Sequence, residues 1–194
     1  MSLESKYPTS TPREFTLSVL TEDKSGLLNQ LTIIFTKRKI NINSLNVSVT
    51  EVKGVSRFTI VTETSKDMID NIVKQIRKLI DVLGAFVYEE HQIFYQEIAL
   101  YKVPKYAIME GNSIEELVSK SGARILVVET DYMIIEKTGN SRETHDLYQK
   151  LEPFGLLEFI RSGRVAISKS TRKTEAYIKE LEASNSNKLS IKDF

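Results

Sequence analysis

The sequence predicts an α+β protein made of two βαββαβ units in tandem. Three observations lead there. Short runs such as FTLSVL and NINSLNVSVT alternate apolar and polar residues, as half-buried strands do. Longer runs between them repeat apolar residues at helical spacing. The same order of elements then recurs in the second half of the 194-residue chain. A hydrophobic content of 41% is enough for packed cores, and 27% charged residues suit a solvated surface.

Residues 1–13 are polar, hold two of the four prolines, and read as a flexible arm. In FTLSVL, Phe15, Leu17 and Val19 alternate with Thr16 and Ser18. Leu27, Leu28, Leu31, Ile34 and Phe35 then form a helical stripe, with Lys37, Arg38 and Lys39 expected in its last turn, where they complement the helix dipole. In NINSLNVSVT, Leu45, Val47 and Val49 take one face and Ser44, Asn46 and Ser48 the other. Gly54 marks a hairpin turn into VSRFTIVTE. Ile69, Ile72, Ile76 and Leu79 make a second helical stripe, and DVLGAFVYEE a fourth strand. The order is the split βαβ arrangement of ferredoxin-like folds, an antiparallel sheet with both helices on one face.

The pattern restarts with YQEIALYKV as a strand. Ser113 with Glu116 resembles a capping box ahead of Ile114, Leu117 and Val118. RILVVET and YMIIEKT flank Thr130–Asp131 as a tight hairpin. Asn140 is placed to cap a helix carrying Leu147, Tyr148 and Leu151, which Pro153 and Gly155 stop. LLEFIRSGRVAIS supplies the closing strands. The division expected is an arm at 1–13, a first domain at 14–91, a second ferredoxin-like domain at 92–170, and a polar tail at 171–194, helical as far as Glu182.

Lys and Arg total 27 against 26 for Asp and Glu, so no basic excess is available to neutralise phosphates, and no nucleic acid is expected as partner. There is no cysteine, which removes disulfides, thiolate nucleophiles and zinc–sulfur sites, and is compatible with a reducing cytoplasm. The opening MSLESKYPTSTPRE lacks the apolar core of a signal peptide, and no run approaches the roughly 18 apolar residues of a membrane span. A soluble, cytoplasmic protein without a membrane partner is the expectation.

Nothing in the motifs points to chemistry. His91 and His145 lie in different halves, outside any ligand-spaced cluster. The pairs Glu89–Glu90 and Glu115–Glu116 are adjacent in sequence, and adjacent residues on a strand or helix point apart. No GxGxxG, Walker-type loop, HExxH or GxSxG occurs. No catalytic or metal-binding residue is therefore assigned. The corner in LSVLTEDKSGLLNQL is different. There a strand end delivers the chain to a helix whose first amides have no intrahelical partner, and Gly26 allows a ligand close to the backbone. Those amides suit a carboxylate. Asp23, Ser25 and Asn29 are near enough to address polar atoms of the same ligand, Asp23 its ammonium. Leu27, Leu28 and Ile42 are candidates to line an apolar pocket. The plainer reading is a helix start capped by Ser25 or Asp23. Asn41 and Asn43 lie past the other end of the helix, suited to its C-terminal turn. At roughly 1.5 Å per helical residue that end is about 20 Å from Gly26, so one small ligand reaches both only if two chains pack about a dyad.

These stretches carry a resemblance. LSVLTEDKSGLLNQLTIIFTKRKINI, SLNVSVT, VSRFTIVTE and KQIRKLIDV closely resemble the ACT domain at the front of the small, regulatory subunit of acetolactate synthase (acetohydroxyacid synthase). QEIALYKV looks like that family's first strand after the ACT domain, and RSGRVAISK like its closing segment, so the resemblance spans about residues 14 to 170. It implies a subunit without catalytic activity or cofactor of its own. Such a subunit binds and activates a large catalytic subunit that carries thiamine diphosphate, a divalent metal such as Mg and FAD. It also confers feedback inhibition by a branched-chain amino acid, usually valine, in the pathway to valine and isoleucine. ACT domains pair edge to edge into a homodimer with the effector in the seam. Carried over by position, this puts Asp23, Ser25, Gly26, Leu27, Leu28 and Asn29 on one side of the effector and Asn41 and Ile42 on the other. At position 23 the family commonly has Asn. Two rivals remain: a free-standing amino-acid-sensing ACT protein that controls another enzyme, and an RNA-binding module of the same βαββαβ order. The second is disfavoured by the single aromatic, Phe58, in VSRFTIVTE.

Overall fold

The structure is a computed structural model that describes residues 11–105 and 113–171. Residues 1–10 of the arm expected at 1–13, the segment 106–112, the Ser113 side chain with its expected capping box, and the tail from residue 172 lie outside that description, while Arg13, expected in the arm, already belongs to the first strand, paired with Thr64. Two compact units are present, one running to Phe94 and taken up again from Ile167, the other spanning Tyr95–Ala166. The described residues 167–171 thus group with the first unit, whereas the sequence reading places 92–170 in one domain.

The first unit follows the order β1 (Arg13–Glu22), α1 (Leu27–Thr36), β2 (Ser44–Val49), β3 (Val55–Thr64), α2 (Lys66–Ile76) and β4 (Val82–Tyr88). Its antiparallel sheet has the spatial order β2-β3-β1-β4, so β2 and β4 are the edges. The register sets Leu17 beside Ile60 and Ile60 beside Leu45, and one step on Val19, Phe58 and Val47. These rows face the helices. Phe15, Leu17, Val19, Phe58 and Ile60 pack there against Leu27, Leu31 and Phe35 of α1 and Ile69, Ile72 and Ile76 of α2. Ser65 caps α2, accepting from the Met68 amide. Leu79 lies past the end of α2 yet still packs on the core.

Two details of α1 differ from the sequence expectation. Lys37, Arg38 and Lys39 fall beyond the helix, which ends at Thr36 with Lys37 as its cap. Arg38 nonetheless serves the carbonyl end, since its Nη1 donates to the Ile34 carbonyl at 3.0 Å. The left-handed residue that closes the helix is Lys39, at φ 55°, with the Ile40 amide returning to the Phe35 carbonyl at 3.2 Å. Asn41 and Asn43 do not take that role.

The second unit repeats the plan as β5 (Ile93–Pro104), α3 (Ser113–Lys120), β6 (Arg124–Val128), β7 (Tyr132–Gly139), α4 (Ser141–Leu151) and β8 (Glu158–Arg161), with β9 (Val165–Ser168) also pairing β5. The strand order β6-β7-β5-β8 is the same permutation as in the first sheet. Tyr101, Val103, Met133 and Ile135 meet Ile114, Val118, Leu147 and Leu151 in its core. Asn140 and Glu143 form a reciprocal capping box on α4. The chain is therefore α+β, two βαββαβ folds in series. Among the described residues, no helix is long and apolar enough to cross a membrane.

Candidate functional site

The corner after β1 is held from two sides. The Asp23 amide donates to the Gly54 carbonyl at 2.9 Å, and the Ser56 hydroxyl donates to Asp23 Oδ1 at 2.9 Å, so the β2–β3 hairpin grips its start. From the other side, the Glu22 amide donates to the Asp81 carbonyl at 2.9 Å. Lys24 Nζ lies 2.5 Å from Glu22 Oε2 and 2.8 Å from Asp81 Oδ1. Hydrogen bonds to Asp81, and then to Glu22, hold the exposed Lys24 ammonium above its ordinary pKa. Its charge is thus matched locally by two carboxylates.

What remains open is the start of α1. The N-cap is Gly26 in left-handed geometry, φ 87° and ψ −13°, and no side chain accepts a hydrogen bond from the first turn. The expected cap by Ser25 or Asp23 does not form: the N-cap position falls on Gly26, which has no side chain, and Asp23 Oδ1 accepts from Ser56. A Cβ built on Gly26 meets nothing within 4 Å. No acidic residue occupies the first turn. The helix start therefore presents uncapped amides and the positive end of its dipole beside exposed Ser25, Leu28 and Asn29.

Leu27 corrects one expectation. Its side chain is fully buried in the first unit's own core, so only its backbone is available to a ligand. Leu28, by contrast, is exposed. At the far end of α1, Asn41 is exposed and its carbonyl accepts from the Thr62 hydroxyl at 2.6 Å. Ile42 is half-buried against the core. Within one chain the structure thus gathers Asp23 to Asn29 at one end of α1 and leaves Asn41 and Ile42 beyond the other. Lys24, Ser56 and Asp81 were not found by sequence reasoning. Their contacts join residues 33 and 57 positions apart, for which no local pattern exists.

The flank of this unit is apolar. Among the described residues, β2 pairs with β3 alone. Val47 and Val49 are exposed, as are Leu28 and Ile33 of α1.

The other candidates have ordinary roles. His91 is exposed, and its carbonyl accepts from Lys169 Nζ at 2.8 Å. His145 stacks on Tyr148 with centroids 5.7 Å apart. Glu89 caps the short turn Glu90–Gln92 and pairs with Arg13 at 3.4 Å. Among the described residues, no group of three or more potential metal-ligating side chains gathers.

Comparison with known proteins finds relatives for both halves of the chain. A family model described as an AHAS small subunit-like ACT domain matches residues 17–84. A second, described as the small subunit of acetolactate synthase, matches residues 96–170. The acetolactate synthase small subunit of Mycolicibacterium smegmatis is 40% identical over 157 residues, covering 81% of this chain and 92% of that protein. That of Bacillus subtilis is 34% identical, covering 82% and 92% respectively. The crystal structure of the acetolactate synthase small subunit from Thermotoga maritima superposes with a TM-score of 0.74 at 28% identity, covering 82% of this chain and 99% of that one. With the ACT unit first and the second unit in its place behind it, the chain belongs to the family of acetolactate synthase small subunits, the regulatory subunits of that enzyme.

Proposed function

We propose that this chain is the non-catalytic subunit that activates a large catalytic acetolactate synthase subunit and makes it subject to feedback inhibition by a branched-chain amino acid, valine first. The observation that carries the reading is the uncapped start of α1 at Gly26, open to solvent and with no acidic residue in the first helical turn. The effector carboxylate binds the first-turn amides of one chain. Its ammonium lies toward Asp23, and its side chain toward Leu28. Asn41 and Ile42 of a second chain close the site when two ACT sheets join along their β2 edges. The exposed Val47 and Val49 on that edge support such a seam. Thiamine diphosphate, Mg and FAD belong to the catalytic partner, and this chain acts on it in the cytoplasm, with neither nucleic acid nor membrane as partner.

The magnitudes suit sensing of an end product. Burial of a valine-sized side chain contributes about 1.5–3 kcal/mol. Hydrogen bonds to its carboxylate add about 1.5–3 kcal/mol each, before ordering costs. A net 5–6 kcal/mol corresponds to a dissociation constant on the order of 0.1 mM. Inhibition needs only a coupling of about 1–3 kcal/mol between the seam and the partner.

The test mixes the full chain with the purified cognate catalytic subunit and follows turnover with and without valine, leucine and isoleucine. Activation followed by inhibition with one of them is expected. Amino-acid binding without any effect on turnover would favour a free-standing sensor and overturn the assignment.

A further inference from the structure

The sheet built on β5 is apolar on both of its faces. The core side of β5 carries Ala99, Tyr101 and Val103. By strand alternation Phe94, Gln96, Ile98 and Leu100 point the other way. Ile160 of β8 stands opposite Leu100 and shares that outer face. The chain then follows β5 toward its start. The Ser162 amide donates to the Ile98 carbonyl at 2.8 Å, and the Lys169 amide to the Gln92 carbonyl at 3.0 Å. Counting back from Lys169 along this antiparallel run sets Ile167 opposite Phe94 and Val165 opposite Gln96. On the outer face Phe94 is 67% exposed, Ile98 50%, Ile160 60%, Val165 58% and Ile167 61%. An antiparallel sheet with one face in water alternates apolar inside with polar outside, and this one does not. A continuous apolar stripe of this kind marks a surface that takes a partner.

We propose that this outer face is the docking surface for the chain's own C-terminal segment, residues 171–184, packed back over the stripe within the same molecule. The sequence of the segment suits the task. Thr174, Tyr177, Ile178 and Leu181 fall at i, i+3, i+4 and i+7, the spacing of a helix with one apolar side, and Lys179 and Ala183 lie on the opposite side. The place where the segment starts suits it as well. Lys169 is fixed at the head of β5, where its Nζ donates to the His91 carbonyl at 2.8 Å and lies 4.8 Å from the centre of the Phe94 ring. A helix that reverses there runs back above Phe94 toward Leu100. The lengths agree: helical residues 174–183 span about 14 Å. The extended run from Phe94 to Leu100 spans about 20 Å, so the helix lies wholly on the stripe. A tethered segment also competes at an effective concentration on the order of 1 mM, ahead of any separate molecule that is scarcer than that. The family match ends at residue 170, so the segment lies beyond the matched residues.

The absence of native cysteine gives a direct test. A full-length chain carrying Lys179→Cys, on the polar side of the helical spacing, takes a nitroxide label there, and isoleucine methyl signals read what lies nearby. Ile98, Ile160 and Ile167 are expected to lose intensity ahead of Ile114 and Ile135, which face the core. Untagged isotope-labelled chains, mixed with tagged unlabelled ones and left to exchange partners, are expected to keep full intensity, because the docking is within one chain. Adding Ile178→Asp and Leu181→Asp to the tagged chain is expected to abolish the selective loss, while the Ile114 and Ile135 signals stay in place and report an intact core. Absent or uniform loss in the tagged chain overturns the proposal. So does selective loss in the mixed sample, which gives the face to a second molecule. Selective loss that survives Ile178→Asp with Leu181→Asp overturns the docking of that apolar side. None of these readouts uses the amino-acid effector or the catalytic subunit, so they stand or fall apart from the Gly26 site.

Discussion

Gly26→Asp separates the proposed regulatory site from the rest of the molecule. At φ 87° the position is left-handed, and the space a Cβ would enter is open. The cost to folding is therefore conformational, about 1–2 kcal/mol for a residue with a side chain, with Asp toward the lower end. For a chain of this size that lowers the melting midpoint by about 2–4 °C per kcal/mol. The cost to the effector is larger. A new carboxylate about 4 Å from the effector's own repels it by about 4 kcal/mol at an effective dielectric of 20. Salt and the exposure of the corner reduce this. The expected loss of effector affinity is thus between about tenfold and a thousandfold. The assay is the valine inhibition curve of the reconstituted complex, paired with calorimetry on the isolated chain and a melting curve. Activation of the catalytic subunit stays near the wild-type value. A folded Gly26→Asp chain with wild-type valine sensitivity would refute the assignment of the effector carboxylate to the α1 amides.

Three further outcomes follow from the described contacts. Asn140→Ala removes one partner of the α4 capping box and is expected to destabilise the second unit by about 0.5–2 kcal/mol, read by urea unfolding. Tyr101→Phe deletes a buried hydroxyl that donates to the Thr144 carbonyl at 2.6 Å, at a cost of about 0.5–1.5 kcal/mol in the same measurement. Glu136 is buried, and the Thr138 hydroxyl, followed by Arg124, holds its carboxyl below the ordinary pKa. A depressed folded pKa contributes stability that is present above the unfolded value of about 4.3 and is lost as pH falls through the folded one. Glu136→Gln is therefore expected to flatten the acid limb of the stability curve below about pH 4.3, and an unchanged limb would place the acid sensitivity elsewhere.

Much of the architecture was legible because the signals are local. Alternation along FTLSVL and the helical stripe of Ile69, Ile72 and Ile76 report burial on a single face, and the structure buries those faces. Asn140 with Glu143 is a capping pair three residues apart, readable without any tertiary knowledge. The candidate corner was located by the same kind of local reading. Its details were not. A cap by Asp23 or Ser25 is a sound local expectation, but the chain enters the helix at Gly26, and Asp23 Oδ1 accepts from Ser56 of another strand. Leu27 and Leu28 are indistinguishable as letters, and only the rotation of α1 on its sheet decides that one is core and the other surface.

By itself the sequence determined the element order, the doubling of the βαββαβ pattern and the place where the first strand hands over to a helix, since each depends on residues close together in the chain. Only the tertiary structure decided which strands are edges, which residues pin the corner, and that Lys24 is matched by Glu22 and Asp81. Those outcomes depend on contacts between distant segments. Strand order and helix rotation are set by how whole apolar faces pack, and no short window of residues contains that information.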